Sequence, residues 1–269
     1  MVRPPLITAL FVPADRPERF SKAQSSGADA IIIDLEDGVA PGAKVSARSA
    51  LSVPGALPTG CDVYVRVNAR QTPWYRDDLA VVAQLPVAGI VLPKTESAED
   101  IAATSKSLPR VGLIALIETA RGLAAVREIS GAAGVTRLAF GSIDFCVDIG
   151  AANDRDALLA ARSAIVLASR LGELQPPLDG VTVAIDDMAL IEADARYALR
   201  LGFGGKLCVH PRQIVPVRNG FAPSADEVSW AKRILEAGAE GAVAVDGMMV
   251  DSPVRSRARQ ILALDAKSR

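Results

Sequence analysis

Eight short apolar runs, rich in Ile and Val, alternate with Ala-rich amphipathic stretches along residues 6–209, and this alternation constrains the fold more than any motif. The strand candidates are 6–13, 29–35, 62–67, 88–93, 112–118, 136–141, 181–185 and 205–209. Helix candidates lie between them at 17–26, 42–52, 75–85, 97–107, 122–130, 155–171 and 189–201. The 3.6-residue period is clearest in 155–171, through Leu158, Leu159, Arg162, Ile165, Val166 and Ser169. The strand candidates are continuously apolar, as expected of strands buried on both faces in a parallel sheet covered by helices. Eight strand–helix units in this length predict a (β/α)8 TIM barrel, a fold of typically about 250 residues. An open doubly wound sheet is the alternative. Against it stands the lack of either a GxxxxGK[ST] or a GxGxxG phosphate loop.

Beyond His210 the pattern changes. Ser224 followed by Glu227 forms a capping box at the head of a helix over 224–239. A Gly- and Asp-rich turn and a basic final helix, 252–267, complete the chain. The expected division is a barrel over 1–215 and a helical extension over 216–269. Residues 240–251 carry a Met-Met-Val patch beside Asp251 and are suited to a lid. The basic face of the final helix (Arg255, Arg257, Arg259, Lys267) reads most simply as solvated.

Composition excludes much chemistry. Lys and Arg total 30 against 31 Asp and Glu, without the basic excess of a nucleic-acid-binding surface. No apolar run approaches the roughly 18 residues that span a bilayer, and the N-terminus has no cleavable leader pattern, so a cytoplasmic protein is expected. Three scattered cysteines do not make a disulfide framework and are expected to be small core residues. The single histidine, His210, precludes a His-rich zinc site, and no GxSxG elbow exists to present a serine nucleophile. An enzyme built from this chain must rely on carboxylates, arginines and lysines, with or without a hard metal ion.

Barrel enzymes gather their chemistry where strands end. Here those ends read Asp34-Leu-Glu36-Asp37-Gly38, Arg66-Val-Asn68, Pro93-Lys94, Glu118-Thr119, Gly141-Ser142-Ile-Asp144 and Val209-His210-Pro211. Any one of them could be a helix cap or a surface charge. So many charges together are costly to bury unless they pair or bind an ion. Glu118 and Asp144, from adjacent strands, form a pair of the kind that holds Mg²⁺ together with water and substrate oxygens. Arg66 offers a planar fork for a substrate carboxylate. Lys94 reads as the partner of a strand-end carboxylate or as a Schiff-base nucleophile. His210 reads as a structural or pocket-lining histidine or as a direct catalyst.

The segments VPADRPERF, IIIDLEDGV-x(4)-K-x(2)-AR, VYVRVN, IVLPK, LIALIET, LAFGSIDF, GKLCVHPRQI and DGMMVDSPVRSRARQIL run in order along nearly the whole chain. Together they resemble the citrate lyase beta subunit-like family, related to malyl-CoA and citramalyl-CoA lyases in the HpcH/HpaI aldolase superfamily. The resemblance implies a TIM barrel, Mg²⁺, homo-oligomers that are often trimers, and lyase chemistry on short acyl-CoA thioesters. It implies Glu118 and Asp144 as metal ligands, with Glu118 also facing substrate. Arg66 corresponds to the grip on the oxo-acid carboxylate, and Glu36 and Asp37 to catalytic acids beside the metal. Val209 and His210 line the substrate pocket. Arg16, Lys22 and Lys44 fall where members contact the CoA phosphates, and Asp251 matches an acid delivered by a neighbouring subunit's lid. Ala14-Asp15 departs from the family's more common Gly-Asn in the first loop.

These residue types suit reversible cleavage of a β-hydroxyacyl-CoA to acetyl-CoA and an oxo-acid such as oxaloacetate, glyoxylate or pyruvate. Asp251 would serve as the acid that protonates the enolate carbon. Two other readings stand beside this one: a carrier-dependent or non-catalytic subunit of a larger lyase, and a metal-independent Lys94 aldolase. Citryl, malyl and citramalyl groups differ by pocket volume, which no motif encodes.

Overall fold

The computed structural model describes residues 6–53, 55–237, 243–245 and 248–268. Eight parallel strands close into a barrel in sequence order: β1 (Thr8–Pro13), β2 (Ala30–Asp34), β3 (Asp62–Arg66), β4 (Gly89–Leu92), β5 (Gly112–Ile117), β6 (Val135–Phe140), β7 (Gln175–Asp179) and β8 (Gly205–Cys208). The predicted barrel is present, and its alternative, the open sheet, is not. Closure is made by β8 on β1, with Thr8 opposite Lys206 and Leu10 opposite Cys208.

The continuous apolar runs are explained by two separate cores. Ala30, Ile32, Tyr64, Val91, Ile114, Leu116, Ala139, Leu178 and Leu207 fill the barrel interior. The intervening residues, among them Ile31, Ile33, Ile90, Leu92, Leu113 and Leu138, pack outward against the helices. Every residue of β2 is therefore buried. Close packing also places glycines: a Cβ on Gly205 would stand 2.4 Å from the Leu6 carbonyl oxygen at the closing seam.

The covering helices are α1 (Phe20–Ser25), α2 (Lys44–Leu51), α3 (Tyr75–Val82), α4 (Ala98–Ser107), α5 (Ala120–Ala124), α6 (Val126–Gly131), α7 (Ser142–Ile149), α8 (Leu159–Leu171), α9 (Met188–Leu201) and α10 (Ile214–Phe221). Three differences from the sequence expectation stand out. The seventh strand is Gln-Pro-Pro-Leu-Asp, not 181–185. Val183 and Ile185 lie exposed in the following loop. Proline carries no backbone donor and argues against an interior strand, but here its carbonyl is what matters: the Gly204 N–H donates to the Pro177 oxygen at 2.9 Å. Helix α7 begins immediately after β6, where no helix was expected. Helix α10, whose Pro216 and Gly220 disguise it, is the eighth barrel helix and spans the expected boundary at 215. Gly220 is required there because a Cβ would stand 2.5 Å from the Ala195 Cβ of α9.

The extension holds α11 (Ala225–Glu236), an antiparallel ribbon of β9 (Val243–Val245) and β10 (Met248–Val250), and α12 (Ser252–Ser268). The expected capping box is formed: the Ser224 hydroxyl accepts from the Glu227 N–H at 3.1 Å, and the Glu227 carboxylate accepts from the Ser224 N–H at 2.8 Å. Val228, Ala231, Ile234, Val250, Ala258 and Ile261 make a small core of their own. Of the expected lid, residues 240–242, 246 and 247 lie outside the described residues. Among the described residues no helix is long and apolar enough to cross a membrane.

Candidate active site

The strand ends build an acidic bowl around one arginine. The register between β2 and β3 sets Asp34 directly opposite Arg66. The Arg66 Nε donates to Asp34 Oδ1 and its Nη2 to Asp34 Oδ2, each at 2.7 Å. Its Nη1 stands 3.2 Å from Glu36 Oε2, and the guanidinium lies 4.6 Å from the centre of the Phe11 ring. Asp34 also accepts the N–H groups of Glu36 (2.9 Å) and Gly38 (2.8 Å), folding the chain after β2 back over the barrel mouth. Gly38 is obligatory, because a Cβ there would meet Asp34 Oδ2 at 2.5 Å. Burial pushes the Asp34 carboxyl up, but the hydrogen bonds and charge of Arg66 outweigh it and hold the group below the usual carboxylate range. The same pairing raises the Arg66 guanidinium against the effect of burial.

Lys94 closes the far side. Its Nζ pairs with Glu36 Oε1 at 2.8 Å, and its backbone N–H donates to Glu118 Oε1 at 2.7 Å. That second contact needs an unusual chain direction: Lys94 has φ +46°, a left-handed conformation that costs a non-glycine residue of order 1–3 kcal/mol. Burial lowers the Lys94 ammonium, but its bond to Glu36 and the surrounding acids raise it further, so it stays charged. Glu36 itself is raised by burial, with Arg66 and Lys94 opposing.

Glu118 is the carboxyl of the bowl that burial raises furthest into the neutral range. It is 1% exposed, and burial together with the charge of Glu36 pushes it up to about 8. Room for it comes from Gly141, where a Cβ would stand 2.4 Å from the Glu118 Cβ and 2.5 Å from its Oε2. A cavity of about 380 Å³ opens here, lined by Phe11, Asp34, Asp37, Arg66, Glu118 and Asp144 among others. Val209 also lines it. Asp144 reaches it from the first turn of α7.

This perturbation has a sign that can be measured. In metal-free protein Glu118 keeps its proton in the fold, whereas the unfolded chain loses it near pH 4.5. Its contribution to stability is complete below that value and is lost as the pH climbs to about 8. Melting temperatures in EDTA are therefore expected to fall between pH 5.5 and 8.5, and Glu118→Gln to flatten the profile. A wild-type profile as flat as that of the variant would contradict the assignment.

The profile of the HpcH/HpaI aldolase/citrate lyase family matches residues 8–211. The chain belongs to this family. A citrate lyase subunit beta-like protein of Mycobacterium tuberculosis is 40% identical over 263 residues, covering 94% of this chain and 93% of that protein. A (3S)-malyl-CoA thioesterase of Cereibacter sphaeroides is 35% identical, covering 96% and 94%. The crystal structure of CitE from M. tuberculosis in complex with magnesium, acetoacetate and coenzyme A superimposes with a TM-score of 0.88 at 36% identity, over 97% of this chain and 98% of that one. The chain is thus an enzyme of a carbon–carbon lyase family, as its motifs led us to expect.

Against this family background the expected residues fall into groups. Arg66, Glu118, Asp144, Asp37 and Val209 meet at the cavity, and Glu36 adjoins it through Arg66 and Lys94. Arg16 and Lys22 are exposed on the first loop and α1. Lys44 is not exposed: it is 4% accessible, and its Nζ is bonded to two backbone carbonyls, a placement unlike that of a phosphate ligand. His210 does not line the cavity. Its Nδ1 accepts the Arg212 N–H at 3.2 Å and caps the turn after β8. Asp251 does not line it either, and its Oδ1 accepts the Val254 N–H at the head of α12. Sequence reasoning named Asp34 but missed its clamp on Arg66, and missed the Phe11 ring beneath that clamp. Only the strand register reveals either.

The donor set fits a hard cation. Among the described residues no three His, Cys, Asp or Glu side chains converge as a metal cage. Magnesium needs no such cage, because it is held by one or two carboxylates and keeps several waters. Glu118 has one oxygen taken by Lys94 and the other beside the space left by Gly141.

Proposed function

We propose that the chain is a Mg²⁺-dependent lyase that cleaves a short β-hydroxyacyl-CoA thioester to acetyl-CoA and an oxo-acid. One observation carries this reading: a buried carboxyl raised to about 8, Glu118, shares a cavity with Asp144 and with an arginine already fixed in orientation. Glu118 and Asp144 would hold the ion, which when bound supplies Lewis-acid stabilisation of negative charge on oxygen. Similarity to the CitE complex with magnesium, acetoacetate and coenzyme A supports both the ion and the substrate class.

The chain's own groups do the rest. Asp34 fixes the Arg66 fork, so Arg66 meets the carboxylate of the oxo-acid half without reorganising as charge develops. Glu36, raised by burial and held by Arg66 and Lys94, takes the substrate hydroxyl proton as general base. Cleavage leaves the bonding electrons on the carbon alpha to the thioester, and an acid must protonate that carbon. Asp251 from a neighbouring subunit fills this role in our reading, within a homo-oligomer, a trimer by resemblance. Lys94 speaks against the Schiff-base alternative, because its ammonium is raised and a Schiff-base nucleophile must be neutral.

The test is a panel of citryl-, malyl- and citramalyl-CoA thioesters, with Mg²⁺ or with EDTA, read by mass spectrometry of the products. Mg²⁺-dependent release of acetyl-CoA and an oxo-acid is expected. Thioester hydrolysis is the second reading, favoured by the similarity to the malyl-CoA thioesterase, and free CoA with an intact hydroxy-acid would select it. Turnover only on an added acyl-carrier protein would select the subunit reading.

Asp251→Asn separates the lid acid from the fold. Asn caps a helix as well as Asp, so α12 should persist while C–C turnover is mostly lost and oxo-acid binding is kept. Subunit exchange with an Arg66→Lys variant is expected to restore part of the activity. Mixed oligomers that remain inactive would place the acid within its own subunit or remove it from the reaction.

A further inference from the structure

The K-x(2)-A-R segment of α2 sets Lys44 and Arg48 one turn apart, on one helix face. Both side chains are buried against the barrel rather than exposed to solvent. The Lys44 Nζ donates to the Leu35 oxygen at 2.6 Å and the Glu36 oxygen at 2.7 Å, and lies 5.2 Å from the Trp74 ring centre. Asn68, just past β3, donates its Nδ2 to the same Leu35 oxygen at 2.9 Å and to Asp78 Oδ2 at 2.7 Å. Asp78 Oδ2 also takes the Asn68 N–H, and its Oδ1 takes Arg48 Nη1 at 3.0 Å. The circuit therefore leaves α2 through Lys44, crosses the chain after β2, passes through Asn68 and Asp78, and returns to α2 through Arg48.

We propose that this circuit, and Lys44 above all, positions the acidic Asp34–Gly38 segment from outside the barrel, and that Lys44 takes no part in binding the CoA phosphates. Burying an ammonium is costly, and burial indeed lowers the Lys44 group from its usual value. Its N–H groups are directed at two carbonyls and an aromatic face. On the inner side, the Asp34 carboxylate bonds the Glu36 and Gly38 amides. Gripped on both sides, the segment holds the Glu36 carboxylate where it meets Arg66 and Lys94. A displacement of about 1 Å in such a constellation costs on the order of 100-fold in rate. Lys44 is thus a positioning residue acting through Glu36.

This inference rests on the lyase reading for its kinetic test but not for its structural one. Lys44→Met keeps an unbranched side chain one atom shorter and removes all donors. Amide exchange in residues 35–39, read by mass spectrometry, is expected to accelerate in the folded variant. With the best thioester of the panel, kcat is expected to fall about 10- to 100-fold while KM stays within about threefold. In a double-mutant cycle, Lys44→Met added to Glu36→Gln should cost no more than about a further twofold, because the two act on one group. If Lys44→Met does not fold, Asn68→Ser removes the second donor to Leu35 and is expected to change exchange and kcat in the same direction, less strongly. Unchanged exchange at 35–39 in the folded variant would overturn the proposal whether or not the panel finds a substrate. So would additive losses in the cycle, or a KM raised tenfold at constant kcat and restored to parity with dephospho-CoA thioesters, the pattern of a phosphate ligand.

Discussion

Arg66→Lys is expected to lower kcat/KM roughly 30- to 1,000-fold, equivalent to about 2–4 kcal/mol of transition-state stabilisation. The substitution keeps the charge and is nevertheless far from conservative. Arg66 uses two nitrogens on Asp34 and presents the third to Glu36 and the cavity, all in one plane above Phe11. A lysine ammonium is a point donor and cannot hold both carboxylates in that geometry. Asp34, 3% exposed, would lose its bidentate partner, so a lower melting temperature should accompany the kinetic loss. Kinetics with saturating Mg²⁺, set beside thermal melts, separate the two effects. An unchanged kcat/KM in a folded variant would remove Arg66 from the reaction.

Glu118→Ala should lose Mg²⁺ binding and bring lyase activity to background. Titration calorimetry and the product assay check both. Stability is expected to respond in the opposite direction. The wild-type carboxyl is buried, faces Glu36 and is raised to about 8, so at alkaline pH without metal it destabilises the fold. In EDTA at pH 8.5, Glu118→Gln should melt no lower than the wild type although it binds no ion. Asp144→Ala should also lose the ion. A Glu118→Ala protein that turns over at the wild-type rate in EDTA would refute the ligand assignment.

The acidic segment after β2 illustrates how a sequence hides structural roles. The family resemblance implied a catalytic segment in IIIDLEDGV and a phosphate-binding lysine in K-x(2)-AR. In the fold α2 lies flat on the barrel, and the lysine reaches backbone carbonyls nine and eight residues earlier. Similarly, Lys94 was expected either to pair or to react. Its left-handed backbone, which aims the N–H at Glu118, has no signature in the IVLPK text.

Sequence alone determined the barrel, because eight apolar runs of strand length with helical spacers can bury both faces of a parallel sheet in few other ways. It also brought Glu36, Arg66, Glu118 and Asp144 to one end of the barrel, because charged residues directly after apolar strands fall at the strands' carboxyl ends. What tertiary structure decided was every pairing between those residues. Register sets Asp34 beside Arg66, glycines at 38 and 141 admit the carboxylates, and closure of β8 on β1 brings Val209 to the same cavity. It also decided the strand at Gln175–Asp179, where neighbouring strands supplied the pairing that two prolines conceal. Periodicity is local and reports which face a residue occupies. Pairing between strands depends on stagger around a closed barrel, a property of all eight strands at once.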